Sequence, residues 1–259
     1  MRKTNFAPLP ERKQLLYEQM ARGYRVHERP KNTPWTVFDK RLIESKIAII
    51  SIAGAYLADQ KPFTNRETEN DYKCREISLN FKREDLRFFA TDWEPGEVQE
   101  DFNVVIPVDR LVLLQKEGMI GKIHETIISI AGFRRSEKMF GKFLDKTSES
   151  LKKAEVDGVL ILPCSAMTSE TGCQIALFLE KKGFPTVLLT QFYEQVLTLA
   201  PPRCAFINFP FGRPFGKASH VTLHTAILRD TLRLFEKAKA PGEILSLNFV
   251  WSFGPVANW

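Results

Sequence analysis

The residue best suited to covalent chemistry in this sequence is a cysteine at the end of an apolar run. In DGVLILPCSAMTSETGC (157–173) the run stops at Cys164, and Ser165, Thr168 and Ser169 follow before a helical pattern begins. A thiolate is a soft nucleophile, and the positive end of a helix dipole favours its formation. Thr168 or Ser169 is placed to cap that helix, with Glu170 and Thr171 just behind. The same position also suits a small buried hydrophobe, which is what most free cysteines are. Of the other three cysteines, Cys173 inside the helix and Cys204 at the start of a later strand read as core, and Cys74 falls in a polar loop.

A second group of residues has the character of a binding surface. The loop FPFGRPFGKAS (209–219) opens a helix, and Gly212 and Gly216 can turn its backbone to expose amides. With Arg213 and Lys217 beside them, these amides form a candidate carboxylate or phosphate site, although the glycine spacing matches no nucleotide-binding fingerprint. Gly54 and Ala55 end the first strand, where backbone can approach a ligand closely, and Asp59 and Gln60 follow as polar contacts. His124 is a candidate acid or base facing a cleft, with a structural role as the alternative. Asp101, Asn103 and Asp109 form another polar group, part of which must cap the helix after Pro107. His220 and His224 share a helix face but lack the glutamate of a zinc-protease motif, so they read as exposed or capping residues and no metal site is expected.

The elements that must position these groups alternate. Continuous β-branched or apolar runs at 46–57, 121–133, 157–163, 185–190 and 203–210 read as strands, with a further strand at 86–92. Helical patterns occupy 107–117, 136–156 (Phe140, Phe143, Leu144 and Leu151 on one face), 169–184, 191–200 and 220–238. This alternation predicts an α/β fold of parallel sheets with helices on both faces, arranged as two Rossmann-like lobes around a cleft. The expected divisions are an N-terminal arm (1–40) with a short helix carrying Leu15, Leu16 and Met20, a first lobe (41–135), a second lobe (136–240) and an aromatic tail (241–259). The polar stretch after residue 58 has the length of a functional loop. In the tail, Trp251, Phe253 and Trp259 resemble a docking surface.

The chain has 259 residues, 44% hydrophobic and 26% charged, with a formal net charge of +6. This mild positive balance suits an anionic ligand. The dispersed Lys and Arg residues and the lack of a recognisable module argue against nucleic acid. No apolar run is long enough for a membrane span, and there is no signal-peptide pattern, so a cytoplasmic protein with reduced thiols is expected.

Three stretches in combination resemble the glycine/sarcosine/betaine reductase selenoprotein B family, which includes the D-proline reductase selenocysteine subunit. They are ISIAGAYLADQKPF, DFNVVIPVDRLVLLQKEGMIG with the following SIAGF, and DGVLILPCSAMTSETGCQIALFLEKKGFPTVLL, and the similarity spans about 46–240. The resemblance implies reductive cleavage of an α-carbon–nitrogen bond: a selenolate attacks carbon, the amine leaves, and a nearby thiol resolves the selenium–carbon product. Counting from Asp157 to Pro185 puts the selenocysteine position on Ser165 and the usual thiol position on Thr168, with Cys164 one place earlier. The first expectation is therefore a reductase-like enzyme acting on a small anionic or amino-acid-like substrate. Cys164 would be its nucleophile, Thr168 and the helix amides would stabilise the thiolate, and an external thiol or dithiol would reset it. The second is a non-catalytic small-molecule-binding or assembly subunit, within a reductase complex or a homo-oligomer. The third is a racemase-like enzyme with Cys164 and Cys204 as opposed acid and base.

Overall fold

The computed structural model describes residues 32–64, 74–90, 93, 95–131 and 137–251. The N-terminal helix with Leu15, Leu16 and Met20, the middle of the polar loop, and Phe253 and Trp259 lie outside the described residues.

The elements run in the order β1 (Lys46–Ser51), β2 (Ala55–Leu57), β3 (Arg75–Ser78), β4 (Leu86–Phe88), α1 (Gly96–Glu100), α2 (Val108–Lys116), β5 (Lys122–Ser129), α3 (Glu137–Lys153), β6 (Gly158–Leu162), α4 (Ala166–Lys181), β7 (Thr186–Thr190), α5 (Tyr193–Leu199), β8 (Arg203–Phe206), α6 (Val221–Leu232), α7 (Leu234–Lys237) and β9 (Glu243–Ser246). Seven strands form one sheet in the order β3-β5-β1-β6-β7-β8-β9, parallel throughout except that β3 runs antiparallel to β5. A separate two-stranded ribbon pairs β2 with β4.

The central strands read as unbroken apolar runs because they are buried on both faces, and successive side chains feed two different cores. Ile47, Ile49, Leu160, Leu162, Val187 and Leu189 join the core beneath α2, α6 and α7. Ala48, Ile50, Val159, Ile161 and Leu188 join the core beneath α3, α4 and α5, where Phe140, Leu144 and Leu151 line the inner face of α3 and Phe143 packs at its margin. Gly172 lets α4 lie close on the sheet, since a Cβ there would come within 2.8 Å of Leu188 Cδ1. The helix ends in a Schellman turn at Gly183, with Gly183 N–H donating to the Glu180 carbonyl and Phe184 N–H to that of Leu179.

The expected α/β class with a largely parallel sheet and helices on both faces is what forms. Two lobes around a cleft find no support, because β1 from before residue 135 and β6 from after it are hydrogen-bonded neighbours in one sheet. The run 46–57 is two strands, because Gly54 turns the backbone (φ +67°) and the Phe89 carbonyl would lie 2.5 Å from any Cβ placed there. The helix expected from residue 169 begins at Ala166 instead, with Ser165 as its cap. Two edge strands escaped the sequence reading. β3 is short and alternates buried with exposed residues, and β9 is half-buried within the segment read as a tail.

Residues 33–38 strap this body. Trp35 lies over the Arg203 guanidinium at 3.6 Å, and Arg203 pairs with Glu180 at 2.6 Å inside the protein. Thr36 closes both ends: its carbonyl accepts from Arg203 at 2.6 Å, while its N–H and hydroxyl donate to the Glu180 side chain and carbonyl.

Candidate functional site

In an open α/β sheet, a crevice forms at the carboxyl ends of adjacent strands whose connections leave on opposite faces. Here those strands are β1, followed by the ribbon and α2 on one face, and β6, followed by α4 on the other. Their ends carry Ile52 and Cys164, and Ile52 N–H donates to the Leu162 carbonyl at 2.9 Å.

Cys164 is 1% exposed and belongs to the core beneath α2 and α6. Its thiol donates to the Ile52 carbonyl at 3.7 Å. Its own carbonyl accepts from Gly212 N–H at 2.7 Å, so the loop 209–219 closes over the strand end with Phe209, Phe211 and Phe215 buried.

Ser165 and Thr168 form a reciprocal capping box on α4. Thr168 N–H donates to Ser165 Oγ at 3.2 Å, and Thr168 Oγ1 accepts from Ser165 N–H at 2.7 Å and from Cys164 N–H at 2.9 Å. The two hydroxyl oxygens lie 3.0 Å apart. Thr168 thus binds the backbone around Cys164, and the bonds made by its oxygen are to main chain and to Ser165. Ser169 instead bonds Thr190 Oγ1 on β7 at 2.8 Å.

The remaining candidates divide by location. Gly54 N–H donates to the Ile130 carbonyl at 3.0 Å and Ala55 opens β2, so both lie at the same strand edge as Cys164 and serve the turn. Gly212 (φ +77°) and Gly216 (φ +109°) turn the loop, but their amides donate to the Cys164 and Arg213 carbonyls. Arg213 pairs with Glu97 at 3.2 Å, and Trp251, folded back onto Phe209, has Arg213 and Lys217 within 6.0 and 5.8 Å of its ring centre. His124 is not part of this group. It follows Ile123, which is paired with Ile47 near the start of β1, at the far end of the strands from Cys164, and its Nδ1 accepts from Thr126 N–H at 3.0 Å.

Cys204 belongs to the opposite core from Cys164, and burial, with Cys173 beside it, pushes its thiol well above the usual range. The two sulfurs therefore cannot flank one substrate carbon, which removes the geometric basis of the racemase expectation. Burial also raises the thiols of Cys173 and Cys74.

The Asp101, Asn103 and Asp109 group expected from the sequence forms a polar network behind the loop, and His224, which the sequence did not connect to it, joins it. Asn103 Oδ1 accepts from Asp109 N–H at 3.0 Å and its Nδ2 donates to Asp101 and Asp109 at 2.8 Å each. Asp101 also accepts from Ser219 N–H at 3.0 Å and lies 3.8 Å from Nδ1 of the buried His224. His224 Nε2 donates to the Lys217 carbonyl at 2.7 Å, and burial lowers this imidazole to about 4. His220 caps α6 through Leu223 N–H. The Asp101–Asn103–Asp109 spacing was the available signal; its link to His224, over a hundred residues away, was not.

The family model described as glycine/sarcosine/betaine reductase selenoprotein B matches residues 32–164. D-proline reductase subunit gamma of Acetoanaerobium sticklandii is 24% identical over 216 residues, covering 83% of this chain and 88% of that protein. Betaine reductase complex component B subunit beta of Peptoclostridium acidaminophilum and glycine reductase complex component B subunit gamma of Symbiobacterium thermophilum are each 28% identical over 125 residues, or 47% of this chain. In both, the match covers only 29% of the relative's length. No solved structure matches the chain.

Proposed function

Since the chain belongs to the glycine/sarcosine/betaine reductase selenoprotein B family, we propose that it acts as a non-catalytic subunit of a reductase-type assembly, keeping the fold without the redox pair. The observation that carries this reading is the capping box. The two positions assigned by resemblance to selenocysteine and its partner thiol hold Ser165 and Thr168, and both hydroxyls are spent on each other and on the start of α4. A hydroxyl cannot take the place of selenium here: displacing an amine would leave an ether, which a thiol does not reduce. The names of the relatives fit a component role, since two of them are subunits of a complex component B. The substrate contacts and redox centre of such an assembly would be completed by another chain.

A second reading keeps Cys164 as nucleophile, favoured by its place one residue before the α4 cap at the sheet's crevice. The thiolate would displace the amine, forming an S–C bond. An external dithiol would then attack sulfur, leaving a disulfide and releasing the carbon as the protonated acid. The two readings separate in one assay. Anaerobic chain with excess dithiothreitol is incubated with glycine, sarcosine, betaine or D-proline, and amine release or D-proline consumption is followed. The subunit reading expects no turnover from the chain alone. Turnover that Cys164→Ala abolishes would replace it with the second reading.

A further inference from the structure

Residues 209–219 lie over the strand edge as a cover that is anchored on two sides. On the sheet side, Gln191 Nε2 donates to the Phe209 carbonyl at 3.3 Å and to that of Pro210, and Gly212 N–H donates to the Cys164 carbonyl at 2.7 Å. Gln191 stands next to Cys164 because β6 and β7 pair Ile161 with Leu188, and that register carried three residues on sets 164 against 191. On the other side, Arg213 pairs with Glu97 at 3.2 Å, and Phe215 N–H donates to the Val104 carbonyl at 3.2 Å. Ser219 N–H donates to Asp101 at 3.0 Å, and the Lys217 carbonyl accepts from His224 Nε2 at 2.7 Å. Three of these four partners fall within residues 97–104, so one short segment clamps the cover.

Closure is opposed as well as supported. Ser219, where the cover meets α6, sits at φ +63°, in the left-handed region that strains a serine. Glu97 Oε2, Arg110 Nε, Gln191 Oε1 and His224 Nδ1 are buried without a hydrogen bond. Glu97, Gln191 and His224 anchor the cover, and Arg110 braces Asp101 at 3.4 Å. Water would satisfy these atoms if the cover lifted, whereas burial of Phe209, Phe211 and Phe215 holds it down.

We propose that segment 209–219 is a latched cover: released from residues 97–104, it lifts off locally and uncovers Cys164 while the seven-stranded sheet stays folded. Gly212 (φ +77°) and Gly216 (φ +109°) give the backbone on either side of Arg213 the freedom to turn. In the native chain the latch is closed and the thiol is sealed. Access to the edge is thus controlled from residues 97–104, whether Cys164 is a nucleophile or only part of the core. Segments that open below the cost of global unfolding are those held by a few separable contacts.

Timed iodoacetamide labelling of latch variants tests this, with Cys173 and Cys204 in the opposite core as internal reporters of global unfolding. In Glu97→Ala with Asp101→Ala, Cys164 should be modified about tenfold or more faster than the other two, since the variant removes two charge-assisted contacts. Amide exchange should rise in peptides from 209–219 and stay unchanged in β1 and β6. Arg229→Met, whose pairing with Glu117 at 2.6 Å lies outside the latch, should leave the three cysteines in step. Should the double variant lose its circular dichroism signal, Glu97→Ala alone decides by the same ratio, with about threefold expected. Cys164 staying in step with Cys173 and Cys204 in the latch variant, or exchange rising equally in β1 and β6, would overturn the proposal.

Discussion

Thr168 makes more bonds to backbone than any other side chain at the strand edge. Its oxygen accepts from two buried N–H groups, those of Cys164 and Ser165, which have no water to turn to if it is removed. Thr168→Val should therefore cost about 2–3 kcal/mol in denaturant unfolding, more than the ~1 kcal/mol of an ordinary cap loss expected for Ser165→Ala. Equal costs would show that Thr168 acts only as a cap partner. His224 sets an acid limit on stability. Its imidazole is buried neutral at about 4, below the ordinary 6.5, so the unfolded chain takes up the proton first as pH falls. Stability should be intact above pH 6.5 and fall between 6.5 and 4, by up to about 3 kcal/mol. His224→Gln, which retains a donor for the Lys217 carbonyl, should flatten unfolding free energy across that window. An unchanged slope would assign the acid sensitivity elsewhere. The Asp101 carboxyl, shifted down, stabilises the fold above its ordinary range and loses that contribution only as pH falls below it, so its loss follows that of His224.

The strap at 33–38 and the helix ends are where local segments commit to the sheet. Glu180 on α4 and Arg203 on β8 form an ion pair with both side chains 1% exposed or less, and removing one partner strands a buried charge at a cost of about 3–5 kcal/mol. Glu180→Gln should therefore be severely destabilising, while Glu180→Gln with Arg203→Met should recover much of the loss, as read from paired denaturation curves. Additive losses would mean that the pair is held by its backbone partners alone. Trp35→Ala removes the aromatic face over the guanidinium and should cost about 1–2 kcal/mol, including the contact itself. Arg203 looked unremarkable in the sequence, a charged residue after two prolines at the start of a strand. Its burial follows from the strap, which reaches it across more than 160 residues, and periodicity cannot report a contact of that kind.

At the scale of the molecule, the sequence disclosed its elements far better than their arrangement. β1, β6 and β7 were legible because strands buried on both faces are continuous apolar runs, and α2 and α3 because their periodicity and ends agree with what formed. The pairing of β1 with β6, which makes one sheet, leaves no local mark, and neither do short edge strands such as Arg75–Ser78. At the strand edge, Cys164, Ser165 and Thr168 were found by type and spacing and do converge, whereas His124 lies at the far end of the strands and Arg213 is paired with Glu97. A capping box and a reactive hydroxyl-rich loop use the same residue types, so only the geometry distinguishes them. This edge holds a closed helix cap over a buried thiol, at the positions where the family resemblance implies a redox pair. Timed alkylation of native chain with iodoacetamide near neutral pH, read at each cysteine by peptide mass spectrometry, tests it most directly. Cys164 should be modified only as fast as the protein opens, alongside Cys173 and Cys204, and small amino acids should not alter its rate. Rapid labelling of Cys164 alone, slowed by a small amino acid, would contradict the account.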